Sequence, residues 1–149
     1  MITSADLLRD RHLRVTAARV AVLEVLAERS HLTTDQVATG VRARIGSVST
    51  QASYHVLDTL AAAGLVRRIE VAGSAARYER RVGDNHHHLV CRSCGEVSDV
   101  DCATASGPCL TTTAPAGYEI DEAEVVFWGT CPRCQTPSAT TPTTIRSST

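Results

Sequence analysis

The stretch Asn85-His86-His87-His88-Leu89-Val90-Cys91-Arg92-Ser93-Cys94-Gly95-Glu96-Val97-Ser98-Asp99 sets two kinds of metal ligand side by side. Cys91 and Cys94 form a C-x-x-C knuckle, and thiolates at that spacing can both reach one tetrahedral ion. A second knuckle, Cys131-Pro132-Arg133-Cys134, follows after 36 residues. Paired knuckles at such a distance are the pattern of a four-cysteine structural zinc site, a far more specific signal than four scattered thiols. The histidines read differently. If His86 to Val90 is a strand, His86 and His88 share one face and His87 points the other way. Two imidazoles on one face with carboxylates nearby suit Fe(II), Mn(II) or Zn(II) in a mixed nitrogen/oxygen site, and Asp99, with Glu79 upstream, can supply the oxygens. Histidine clusters are often only exposed side chains; the nearness of the knuckle and of Asp99 favours a ligand role here. The centre of the chain is therefore expected to hold one permanent and one exchangeable metal.

The 149 residues allow one moderate core or two small ones, the smaller needing a metal or a partner. A formal charge of −1 hides an asymmetry: residues 1–82 carry 12 arginines against 8 acids, and residues 83–149 carry 3 against 8. A basic front allows nucleic acid there, and the balance argues against a charge-driven membrane binder. No apolar run reaches transmembrane length and the N-terminus lacks a secretory h-region, so a cytoplasmic location is expected. In that compartment six cysteines favour metal or redox chemistry over a disulfide framework. Residues 135–149, almost all Thr, Ser and Pro, read as a disordered tail.

The front half, residues 1–82, reads as helical. Ser4 to Arg11 forms a short helix, and Thr16 caps a helix over Ala17 to Glu28 that is apolar around most of its circumference. Thr33-x-x-Gln36 is a capping box opening a helix with Val37, Val41 and Ile45 on one face and Gly40 in its middle. A third helix starts near Ser49, buries Ala52, Val56, Leu57 and Leu60, and ends at Gly64. Thr50, Gln51, Tyr54 and His55 lie on its opposite face, where they can meet phosphates and base edges. Leu65 to Ile69 and Ala76 to Glu79 then read as a hairpin around Gly73-Ser74. Three helices and a two-stranded wing make a winged helix-turn-helix whose last helix enters the major groove. Arg14, Arg19, Arg67, Arg68 and Arg77 are the candidates for phosphate contact. Similar arrangements also serve as protein-interaction modules, and an arginine there is more often simply solvated.

The rear half, residues 83–134, is expected to be a small, mainly β dimerisation and metal-binding domain, making the chain α+β. Glu96 to Asp101 and Tyr118 to Trp128 read as strands, the latter ending at the second knuckle. Residues 102–117 carry no helical period. Strands so few cannot cover both faces of a sheet, and dimerisation is the expected remedy. Cys102 and Cys109 stand outside both knuckles, either as small buried residues or as redox thiols.

These features resemble the ferric uptake regulator (Fur) family of metal-dependent bacterial repressors. The marks are R-x-T-x-x-R at Arg14 to Arg19, H-L-T-T-D from His31, S-x-Q-A-x-Y from Ser49, H-H-H-L-V-C-R-S-C-G and the C-P-R-C knuckle. The likeness runs over about residues 5–134. It looks closest to the actinobacterial branch that represses a catalase-peroxidase gene, through G-D-N-H-H-H, V-D-C with P-C-L, and D-E-A-E-V-x-x-W-G from Asp121.

The resemblance implies structural zinc at Cys91, Cys94, Cys131 and Cys134, and a regulatory Fe(II) or Mn(II) at His31, Glu79, His86, His88 and Asp99. It implies a homodimer on a palindromic double-stranded DNA operator, with metal fixing the angle between the halves. Asp99 is shared with the peroxide-sensing branch, in which hydrogen peroxide reacts at bound iron and a ligand histidine, here His31 or His86, is oxidised. The family's further metal site matches poorly, with Asn85 and Ala123 at its positions. Alternatives left open are an iron- or zinc-responsive uptake repressor and a thiol–disulfide switch using Cys102 and Cys109. A zinc enzyme built on His86, His88 and Asp99 lacks an evident base, nucleophile or cleft motif, so no catalytic role and no substrate beyond peroxide as a signal is expected. A metal-storage protein would leave the arginine-bearing helical module without a purpose.

Overall fold

A computed structural model describes residues 1–80, 84, 86–102, 113–120 and 123–135. Its elements run α1 (Ser4–Asp10), α2 (Ala17–Glu28), β1 (Leu32–Thr33), α3 (Thr34–Ile45), α4 (Thr50–Ala62), β2 (Arg67–Ile69), β3 (Arg77–Glu79), β4 (His86–Cys91), β5 (Val97–Asp101) and β6 (Val126–Gly129). The fold is α+β, as expected.

Local chemistry sets the helix ends. Thr16 accepts from the Arg19 amide at the start of α2, Ser49 accepts from Ala52 at the start of α4, and Thr33 with Gln36 closes a reciprocal capping box on α3. Gly64 takes φ +67 just past α4, a conformation that costs glycine little. Leu23, Leu26, Val37, Val41, Leu57 and Leu60 meet in one core sealed by Leu8, Leu32 and Tyr78. Gly40 has a packing reason: a Cβ there would stand 3.0 Å from both γ-methyls of Val25, so its absence lets α2 and α3 approach. Two details differ from the expected faces. Ile45 is exposed at the frayed end of α3, and Ser53, hydrogen-bonded to the Ser49 carbonyl, takes a buried place beside Leu57 while Ala52 and Val56 are half-buried.

The wing gains a strand. β2 and β3 pair antiparallel with Arg68 opposite Tyr78, and β1 joins the other edge of β3 with Leu32 opposite Tyr78. The order is β1-β3-β2. The second sheet, β5-β4-β6, pairs β4 antiparallel to β5 and parallel to β6. The parallel pairing carries the chain out of both strands at the same end, where both knuckles begin. The expected strand from Tyr118 to Trp128 is confined among the described residues to Val126–Gly129. Tyr118 to Ile120 are exposed with no strand partner, and Asp121 and Glu122 lie outside the described residues. Ile69 and Val71 from the wing pack with Val90, Val97 and Val126, so among the described residues a small apolar core joins the two sheets. A core of that size gives a bound metal a stabilising role in the second sheet. Cys109 and most of the tail expected over 135–149 lie outside the described residues.

Candidate functional site

β3 alternates. Tyr78 turns into the helical core, which sends Arg77 and Glu79 to the opposite side, towards the second sheet. On β4 the same alternation sends His86 and His88 to that side while His87 packs its ring edge-on against Phe127, with centroids 6.0 Å apart. Asp99 lies directly opposite His88 in the β4–β5 ladder. His31 arrives from the loop between α2 and β1 in a left-handed conformation, φ +60, uncommon for a residue other than glycine.

His31, Glu79, His88 and Asp99 converge on one point, and His86 stands at its edge against Glu79. Glu79, with no exposed side-chain surface, has Oε2 3.2 Å from His31 Nε2 and 3.3 Å from His88 Nε2, and Oε1 3.0 Å from His86 Nε2. Asp99 Oδ1 lies 2.8, 3.7 and 3.8 Å from the Nε2 atoms of His31, His86 and His88. Ligand atoms about 2.1 Å from a metal stand about 3.0 Å apart at right angles, so the spacing fits a first coordination shell. The ligand atoms of His31, Glu79, His88 and Asp99 all fall within 4.8 Å of one another. Burial alone would raise the Glu79 pKa, but hydrogen bonds from His31 and His88 and the nearby imidazole charges hold it at about 2. Burial alone would lower that of His31, yet Glu79 and Asp99 together raise it. The pocket is built for positive charge, and protons and a divalent cation compete for it.

Asp84 was not foreseen. Its carboxylate lies 2.8 Å from His86 Nδ1, fixing the ring so that Nε2 faces the cluster. Only its place two residues before His86 hinted at this.

The second cluster is Cys91, Cys94, Cys131 and Cys134. Cys91 ends β4 opposite Gly129, which puts Cys131 two residues past the end of β6. The Sγ atoms of Cys94 and Cys131 are 3.7 Å apart, against about 3.8 Å for the edge of a tetrahedral thiolate site with 2.3 Å bonds. The Cys131 amide donates to Cys91 Sγ at 3.3 Å. That bond is the main reason the Cys91 pKa falls to about 6. Cys134 is pushed up to about 12 by the Cys131 thiol beside it, the conflict that a bound cation resolves.

The DNA-side candidates divide. Gln51, Tyr54 and His55 are exposed on α4, with Gln51 Nε2 3.3 Å from His55 Nε2, and Thr50 is half-buried at its first turn. Arg14 is exposed; Arg19 is half-buried and donates to the Arg14 carbonyl at 2.7 Å. Arg68 pairs with Glu70. Arg77, expected among the phosphate contacts, is half-buried and donates to the carbonyls of His31 and Gly95. Alternation along β3 explains this, because a residue two before Glu79 must point the same way. Cys102 is disulfide-bonded at the end of β5.

The profile described as the ferric uptake regulator family matches residues 10–127. The chain belongs to the ferric uptake regulator family. The "Transcriptional regulator FurA" of Mycobacterium tuberculosis is 55% identical over 130 residues, covering 87% of this chain and 88% of that protein. Among solved structures, a ferric uptake regulator from Pseudomonas aeruginosa with manganese matches at TM-score 0.61 and 27% identity, over 84% of this chain and 95% of its own. The Campylobacter jejuni peroxide stress regulator matches at TM-score 0.54 and 30% identity, over 63% and 69%. As a member of the ferric uptake regulator family the chain is a metal-responsive transcriptional regulator and not an enzyme, and regulators of this family bind DNA and work as dimers. Among the described residues no helix is long and apolar enough to cross a membrane.

Proposed function

We propose that this protein is a cytoplasmic, peroxide-responsive repressor that binds a palindromic operator as a homodimer when its regulatory site is loaded. Residues 1–82 are the winged-helix DNA-binding domain and residues 83–134 the dimerisation and metal-binding domain. The observation that carries the reading is the position of His31. It belongs to the DNA-binding half, yet its Nε2 meets Asp99 and Glu79 beside His86 and His88. A cation shared by these five side chains ties the helical half to the second sheet, and in a dimer that angle sets the spacing of the two α4 helices.

The regulatory ligands, three nitrogens and two oxygens, suit Fe(II) or Mn(II), and the four cysteines suit structural Zn(II). Bound Fe(II) would activate hydrogen peroxide so that one peroxide oxygen is transferred to the ring of His31 or His86 and the other leaves as water, the two electrons coming in net from the ring. Oxidation of either ring removes a ligand, frees the helical half and releases DNA. Arg14, Arg19, Thr50, Gln51, Tyr54 and His55 form the proposed DNA face. Control of a catalase-peroxidase gene and of the protein's own gene is proposed from the actinobacterial likeness of the sequence motifs.

One observation favours a second reading, a thiol–disulfide switch, because Cys102 is disulfide-bonded. The test is binding to the protein's own promoter region by anaerobic Fe(II)-loaded and Mn(II)-loaded protein, before and after mild peroxide. Loss of binding by the iron form alone, with one oxygen added to His31 or His86 by mass spectrometry, is the expected result. Loss by both forms with recovery on thiol reduction assigns the switch to the cysteines. Indifference of both forms refutes peroxide sensing and leaves a metal-uptake repressor.

A further inference from the structure

We infer that Arg77 is a positioning residue that couples the four-cysteine knuckle to the regulatory site, so that each metal site senses the other through one guanidinium. The inference rests on the regulatory-site reading above. Arg77 donates through Nη1 to the His31 carbonyl at 3.1 Å and through Nη2 to the Gly95 carbonyl at 2.9 Å. These acceptors belong to different machines. His31 is a ligand residue of the helical half, 46 positions away, and Gly95 closes the turn of the first knuckle, its own amide bonded to the Cys91 carbonyl at 2.9 Å.

Three features make this more than an incidental contact. First, the backbone that Arg77 grips at His31 is the left-handed one, φ +60, uncommon for a residue other than glycine, and the contact adds a hold on it. Second, Arg77 is two residues from Glu79 on a strand paired on both sides, so the gripping side chain and a central carboxylate ride on one rigid segment. Third, Arg77 Nε is buried without a hydrogen-bond partner among the described residues. An arginine on a wing normally reaches water; here one nitrogen is left unmatched while the two terminal nitrogens bridge the halves. The planar fork of guanidinium spans two carbonyls at fixed separation, which the single ammonium of lysine cannot do.

The coupling has a direction that can be read. Closing the regulatory site fixes His31, Arg77 transmits the constraint to Gly95, and the knuckle turn from Ser93 to Glu96 becomes harder to open. By reciprocity, a knuckle held by its own ion positions His31 in advance and raises affinity at the regulatory site.

The test uses full-length, zinc-replete dimer and Mn(II) as probe, comparing wild type with Arg77→Met, Arg77→Lys and Asp99→Ala. Zinc content per chain and circular dichroism report the fold. Arg77→Met is expected to retain zinc, to lose roughly ten-fold in Mn(II) affinity, and to lose the Mn(II)-dependent slowing of amide hydrogen exchange over residues 93–96 that wild type shows. Arg77→Lys, which keeps the charge and one bond, is expected to fall between the two and serves if the Met variant does not fold. Wild-type affinity and wild-type exchange slowing in either folded variant would overturn the coupling. Asp99→Ala separates the failures: if it binds Mn(II) like wild type, the regulatory-site reading fails, whatever Arg77 does.

Discussion

Glu79→Gln is the sharpest perturbation of the regulatory pocket, because it keeps the shape of a side chain with no exposed surface and removes only its charge. In the folded protein the Glu79 carboxyl titrates at about 2 against an ordinary 4.5. That difference is worth about 3 kcal/mol in favour of the ionised form, at 1.36 kcal/mol per unit. The folded value is depressed, so this stabilisation is fully present above pH 4.5 and is lost as pH falls from about 4.5 towards 2. At neutral pH the whole preference is available to imidazolium protons or to a divalent cation. Removing it should lower Mn(II) affinity by at least roughly 100-fold, since even groups behind the first ligands are worth 10–100-fold. Anaerobic titration followed by Mn(II) paramagnetic resonance measures this, with zinc content as the fold control. The Gln variant should also let His31 titrate at lower pH, readable by NMR of its ring, because Glu79 is one of the two carboxylates that raise it. A Gln variant that binds Mn(II) within about three-fold of wild type would refute the assignment of Glu79 as a ligand.

Three further outcomes follow from the same geometry. Cys94→Ser should release the structural metal and unfold the second sheet while α1 to α4 persist, seen as lost zinc with most helical dichroism retained, because among the described residues a handful of apolar side chains pack against that sheet. Asp84→Ala should weaken Mn(II) binding about 10–100-fold with zinc unchanged, by freeing the His86 ring, which calorimetric titration would detect. Gly40→Ala should destabilise the helical half by about 1–3 kcal/mol in denaturant unfolding despite alanine's better helix propensity, and Val25→Ala in the same chain should recover part of the loss.

How far the sequence carries depends on whether the signal is local. Thr16, Thr33 with Gln36, and Ser49 each act on amides three residues away, and the helices begin where these residues stand. The knuckles are equally local, and strand alternation separates His87 from His86 and His88. β1 was missed because Leu32–Thr33 is a strand only through its partner Tyr78, 46 positions away in the chain. His31 joined the site by resemblance alone, since no periodicity links a loop residue to a strand of the other half. The inward contacts of Arg77 are also legible: with Glu79 turned inward, alternation places Arg77 inward too. The parallel pairing of β4 with β6 was likewise implicit in two knuckles that must meet at one ion. The long last strand was over-read from a segment containing Glu119 and Glu124, whose neighbours Tyr118 and Ile120 find no partner strand.

The most direct test of the account measures affinity for the promoter fragment by zinc-replete dimer with and without Mn(II), in wild type and in Asp99→Ala. If a cation shared by His31, Glu79, His86, His88 and Asp99 sets the DNA-binding geometry, Mn(II) will raise wild-type affinity by at least roughly ten-fold, about 1.4 kcal/mol, and leave the variant unchanged. Equal binding by wild type with and without Mn(II), or an equal response in Asp99→Ala, would contradict it.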